Sequence, residues 1–105
     1  MTTYQIAILV SGAGTNAVNI IEYFEKKSTA QVTLVISNKE GSQVLEKAQD
    51  KGVENVVFNN ESFKNNGEVL TFLQSKSIDF IVLAGFLLKI PRTVVAAYPK
   101  KIINI

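Results

Sequence analysis

The chain has 105 residues, 47% of them hydrophobic, which suits one compact domain over residues 1–105 burying roughly 60–68% of its unfolded surface. It contains neither cysteine nor histidine, which excludes disulfides, thiolate nucleophiles, imidazole bases and histidine- or thiolate-bound metals from this segment, so no metal is expected. The formal charge of +2 is scattered, no run approaches the roughly 18 apolar residues of a membrane helix, and the N-terminus lacks the plan of a secretory signal; a cytoplasmic protein is expected, with no nucleic acid or membrane partner.

Apolar runs alternate with helical-period segments along the chain, which predicts an α/β fold: a parallel sheet of repeated βα units with helices on both faces. The first strand is expected over residues 5–10 and runs into Ser11-Gly12-Ala13-Gly14-Thr15-Asn16. Ala17, Ile20, Ile21 and Phe24 make one apolar stripe, so a helix should start near Thr15 and end near Lys26 and Lys27, cations suited to its negative end. A second strand is expected over residues 31–37. Ser42 is a good N-cap for a helix that buries Val44, Leu45 and Ala48 and stops at Gly52. After a third strand at residues 55–58 comes a polar stretch from Asn59 to Gly67, and then a helix carrying Val69, Leu70, Phe72 and Leu73. A fourth strand is expected over residues 79–84. Pro91 suits the first turn of a short helix that Pro99 ends, and a fifth strand covers residues 101–105. That strand stops without a cap or polar tail, so the chain reads as the first half of an enzyme whose bare edge favours self-association.

Right-handed crossovers bring ligands to the carboxyl ends of the strands, here residues 11–16, 37–39, 59–60, 85–90 and Asn104. Gly12 and Gly14 permit a sharp turn and close approach of a ligand oxygen. The N–H groups of Gly14, Thr15 and Asn16 open a helix as unpaired donors, and the Thr15 hydroxyl and Asn16 amide add more, which together describe a phosphate cradle. A purely structural strand-to-helix turn capped by Thr15 uses the same residues. Gly12-x-Gly14-x-x-Ala17 also satisfies a dinucleotide fingerprint. The second strand ends in Ser37-Asn38-Lys39, without the acidic residue that takes the NAD ribose, whereas Lys39 suits the extra phosphate of NADP. An NADP-binding oxidoreductase domain and a noncatalytic phosphate-binding module therefore stand beside a phosphoribosyl site. The apolar loop Phe86-Leu87-Leu88 either borders a flat ring system or fills the core. Asn104, between isoleucines, is expected in a central strand, where a buried amide must find partners.

Four segments, Ile8–Asn16, Val35–Lys39, Asp79–Phe86 and Ile102–Ile105, together make the chain resemble the N-terminal half of the phosphoribosylglycinamide formyltransferase family, the folate-dependent glycinamide ribonucleotide transformylases of purine biosynthesis. The resemblance runs over essentially the whole chain. It implies a Rossmann-like formyltransferase fold that moves a formyl group from 10-formyltetrahydrofolate to the amine of 5-phosphoribosylglycinamide without a metal. It further implies that Gly14, Thr15 and Asn16, with Gly12 shaping the turn, hold the phosphoribosyl group, and that Leu87, Leu88, Lys89 and Ile90 border the pterin. Asn104 would be the catalytic asparagine beside the folate, followed two residues later by a histidine and much later by an aspartate, both beyond Ile105. The 105-residue piece alone is accordingly expected to be inactive. Family members often carry a basic residue where Leu88 stands and an arginine near Asn66; Lys64 and Lys89 are the cations at hand to compensate. The Ser-Gly-x-Gly-Thr-Asn loop points away from the formyltetrahydrofolate hydrolases of the wider superfamily.

Overall fold

The computed structural model describes residues 3–12, 14–65 and 67–105, without the Asn65 side chain; Ala13 of the glycine loop and Asn66 lie outside the described residues. Five strands, β1 (Tyr4–Val10), β2 (Ala30–Ser37), β3 (Glu54–Val57), β4 (Phe80–Leu83) and β5 (Ile102–Asn104), alternate with helices α1 (Thr15–Glu25), α2 (Gln43–Asp50), α3 (Asn60–Asn65), α4 (Glu68–Ser75) and α5 (Arg92–Ala97). They form one sheet in the order β3-β2-β1-β4-β5, with every neighbouring pair parallel. The strand order reverses between β1 and β4, so the crevice beyond their carboxyl ends is the natural ligand position.

The unbroken apolar runs follow from burial on both faces. On one face Ile8, Val10, Val35 and Val82 pack with Ala17 and Ile21 of α1 and Val44 and Ala48 of α2. On the other, Leu9, Leu34, Ile36 and Ile81 pack with Phe63, Val69, Leu73, Val94 and Tyr98 from α3, α4 and α5 and the residue after it. Ile8, Leu9, Leu34, Ile36 and Ile81 are fully buried, each contributing about 1.5–3 kcal/mol by its removal from water. A bulge between Ile6 and Ala7 leaves Thr33 of β2 as the extra residue, and Gln5 Oε1 accepts from both the Thr33 hydroxyl and Gln31 Nε2.

The α1 side is not covered throughout. Ile103 lies in register with Val82 and so faces the same way, yet it is 53% exposed, and Ile105 is 54% exposed. Tyr4 meets Phe80 edge-on at 5.4 Å beside them. The β5 part of this face is therefore open and apolar.

Two expectations need correction. The polar stretch after β3 contains the short helix α3: Asn59 Oδ1 accepts the Ser62 N–H at 2.9 Å, which caps its first turn, while Phe63 is buried against the second core. Asn104 is not in a central strand. β5 is an edge strand of this sheet, and the Asn104 side chain is exposed.

Candidate functional site

β1 is the middle strand, and its last residues are buried on both faces, so it gives the glycine turn a rigid base. Gly14 is the N-cap of α1 at φ 83°, in the left-handed region, and its carbonyl accepts the first helical bond from Val18 N–H at 2.9 Å. As a glycine it offers no side chain to cap the helix. The N–H groups of Thr15, Asn16 and Ala17 precede that first bond and carry the positive end of the helix dipole, an arrangement suited to an anion. Thr15 and Asn16 are exposed at this turn, as is Gly12.

Neighbouring elements brace the turn from two sides. A Cβ on Gly14 would collide with the Val44 side chain, so α2 sits directly against the backbone there. Ser42 does not cap α2 through its side chain, as sequence reasoning expects; its hydroxyl donates to the Gly12 carbonyl at 2.7 Å instead. On the other side Ser11, buried at 1% exposure, accepts the Leu87 N–H on its Oγ at 2.9 Å. The sequence reading named both serines, but not these partners. The available signal was positional: both hydroxyls stand at carboxyl-end turns next to the loop.

Gly85, at φ 65°, turns the chain out of β4 and lays residues 86–90 along the sheet end. Phe86, Leu88 and Ile90 pack against the α4–α5 side core, with Phe86 against the Phe63 ring at 5.0 Å, while Leu87 and Lys89 are exposed. Phe86, Leu88 and Ile90 thus take the core-filling role, one of the two that the sequence left open. Beside it lies a cavity of about 400 Å³ between α3, α4 and the start of α5, walled by Phe63, Val69, Leu70, Ile90 and Pro91. Lys64, Lys89 and Arg92 also line it, so an apolar floor carries a cationic rim. Leu87, Leu88 and the glycine turn lie outside its walls. Arg92 escaped the sequence reading because nothing in the spacing ties it to Lys64.

Asn104 pairs in register with Leu83, which packs on the α4–α5 side, so its amide faces that same side. Two strand spacings separate β5 from β1, about 10 Å across the sheet. The glycine turn on the α1 side, the cavity on the α4–α5 side and Asn104 therefore share one end of the sheet. At the end of β2, the buried Ser37 Oγ is occupied in a turn, accepting the Lys39 N–H at 3.1 Å and donating to its carbonyl at 3.3 Å.

The sequence profile of the Formyl transferase family matches residues 4–105. Phosphoribosylglycinamide formyltransferase of Haemophilus influenzae is 35% identical over 96% of this chain and 50% of its own length. The human trifunctional purine biosynthetic protein adenosine-3 is 35% identical over the same share of this chain and 10% of its own length. The crystal structure of glycinamide ribonucleotide transformylase 1 from Geobacillus kaustophilus superposes at a TM-score of 0.90, with 30% identity, 98% of this chain and 57% of that one covered. The chain spans about half the length of these single-function bacterial relatives. With a family match from the first strand to the last and the same five-stranded α/β fold, the chain belongs to the formyl transferase family.

Proposed function

We infer that this chain provides the ribonucleotide-phosphate corner and part of the folate site of a cytoplasmic phosphoribosylglycinamide formyltransferase. The enzyme passes a formyl group from 10-formyltetrahydrofolate to the amine of 5-phosphoribosylglycinamide in purine biosynthesis. The observation that carries this reading is the uncapped N-terminus of α1 behind Gly14, set at one sheet end with Asn104 in a chain of this family. Gly12, Gly14, Thr15 and Asn16 hold the sugar phosphate through backbone N–H groups and short polar side chains. Leu87, Leu88, Lys89 and Ile90 border the pterin, and the neighbouring cavity, with Lys64, Lys89 and Arg92 at its rim, accommodates the acidic remainder of the folate.

The substrate amine attacks the formyl carbon to give a tetrahedral centre bearing an oxyanion. The Asn104 amide donates to that oxygen without itself titrating. Collapse breaks the bond to the folate nitrogen, which gains a proton, while the attacking nitrogen loses one. Moving those protons near neutral pH calls for an imidazole, and the 105 residues contain none. The family resemblance assigns that task to a histidine and an aspartate on polypeptide beyond residue 105, so the chain alone is proposed to bind without turning over.

The dinucleotide reading is not favoured: the family match points elsewhere, and Ser37 is engaged in its own turn. Titration with glycinamide ribonucleotide and, separately, NADPH tests the choice through hydrogen exchange at Gly14, Thr15 and Asn16. Protection by the ribonucleotide is expected; protection by NADPH alone would overturn the reading. The open face at Ile103 and Ile105 additionally supports self-association of the isolated chain, to be read by light scattering over a concentration series.

A further inference from the structure

Residues 85–90 leave β4 through the left-handed turn at Gly85. Among the described residues, their backbone makes one hydrogen bond to the rest of the chain, from Leu87 N–H to Ser11 Oγ at 2.9 Å. Ser11 directly follows β1 and directly precedes Gly12, and it is buried. One hydroxyl therefore joins the root of the glycine turn to the middle of the apolar loop, across 76 residues of chain.

We propose that Ser11 is a positioning residue that couples the two ligand sites, so that filling the glycine corner pre-orders the loop at residues 85–90 for the second ligand. The identity of both ligands rests on the formyltransferase reading above. An anion on the turn restrains the backbone that carries Ser11, and Ser11 in turn restrains Leu87 N–H. A loop already restrained has less freedom left to lose when its own ligand arrives, so that ligand binds more tightly. Linkage requires the reciprocal effect to be equal. The second brace, Ser42 on the Gly12 carbonyl, touches the turn but not the loop, and so supplies the control.

The test is calorimetric titration of the 105-residue chain with glycinamide ribonucleotide and with folic acid, each alone and with the other saturating, alongside hydrogen exchange at the Leu87 amide. Each ligand is expected to tighten the other about five-fold, and the ribonucleotide to slow Leu87 exchange without touching it. Ser11→Ala should bring the coupling to within about two-fold of none, whereas Ser42→Ala should weaken ribonucleotide binding and leave the coupling intact. Independent binding in the unmodified chain, coupling that survives Ser11→Ala, or equal loss in Ser42→Ala would each overturn the proposal. If neither ligand binds, the formyltransferase reading falls and takes the coupling with it; if both bind independently, the coupling alone falls. Should Ser11→Ala fail to fold, the Leu87 amide of the unmodified chain decides, and exchange unchanged by the ribonucleotide refutes the proposal.

Discussion

Gly14→Ala separates the structural demand on the glycine turn from its binding role. At φ 83° an alanine incurs about 1–2 kcal/mol for the left-handed backbone. Its Cβ also meets the Val44 side chain of α2, an overpacking that costs about 1–3 kcal/mol more. The sum, about 2–5 kcal/mol, is a large part of the stability of a small domain and corresponds to a melting temperature lower by at least about 8 °C. Urea denaturation of Gly14→Ala, Val44→Gly and the double variant divides the two terms. Val44→Gly alone should cost about 3 kcal/mol for its cavity and for a glycine inside α2, and the double variant should fall short of the summed losses by about 1–3 kcal/mol, because the Cβ and Cγ atoms that collide are both gone while the backbone strain stays. Gly12→Ala is the contrast, since nothing lies within 4 Å of a Cβ there. It should stay within about 0.5 kcal/mol of the parent while weakening ribonucleotide binding by crowding the ligand. A Gly14→Ala protein as stable as the parent, or strict additivity with Val44→Gly, would refute the reasoning.

Removing the Ser42 hydroxyl should cost about 1 kcal/mol of stability, read by urea denaturation, for its bond to the Gly12 carbonyl. Asn104→Ala should leave the melting temperature of this chain unchanged, because the side chain is exposed on an edge strand. Placed in a complete formyltransferase, the same change should lower kcat by about 10²–10³ for the lost oxyanion donor. Burial first, and Asp79 second, raise the Tyr98 hydroxyl above its ordinary value near 10, and hydrogen bonds to Glu25 and Glu22 raise Lys51. Both groups hold their protons longer folded than unfolded, so their contribution is complete below about pH 10 and is lost as pH rises beyond it. Thermal melts across pH 9–12 should show that loss, and Tyr98→Phe should flatten it. Ile103→Lys should reduce concentration-dependent light scattering without lowering stability; unchanged scattering would remove β5 as the association surface.

The sheet was legible because its strands are buried on both faces and therefore written as runs of Val, Ile and Leu. β1 and β2 begin one residue earlier than read and end where expected. β4 and β5 are each one residue shorter at both ends than the apolar run suggested, although Asp79, Ala84 and Ile105 still donate backbone hydrogen bonds to the neighbouring strand. α3 was hidden by its polar composition. Its two determinants, the Asn59 cap and the Phe63 anchor, are single residues that no periodicity can reveal in six. At the site, Gly14 could be read because only backbone geometry selects it. Ser11 and Ser42 could not, because their partners lie 76 and 30 residues away and a serine carries no mark of the carbonyl or amide it will meet. Asn104 was misplaced for the same reason: flanking isoleucines imply a strand, but not how many neighbours that strand will have.

The strand order bears on how the polypeptide assembles during synthesis. β1, β2 and β3 arrive consecutively, and α1 and α2 close over one side of them, so a growing chain holds a self-consistent layer by residue 57. The far side of β1 must then wait, unpaired, until Phe80 emerges, with α3 and α4 translated in between. That interval leaves the middle strand of the sheet, buried over its last five residues, half-zipped while it already carries the glycine turn at its tip. A nascent chain paused before β4 should recruit chaperones more readily than one paused after it.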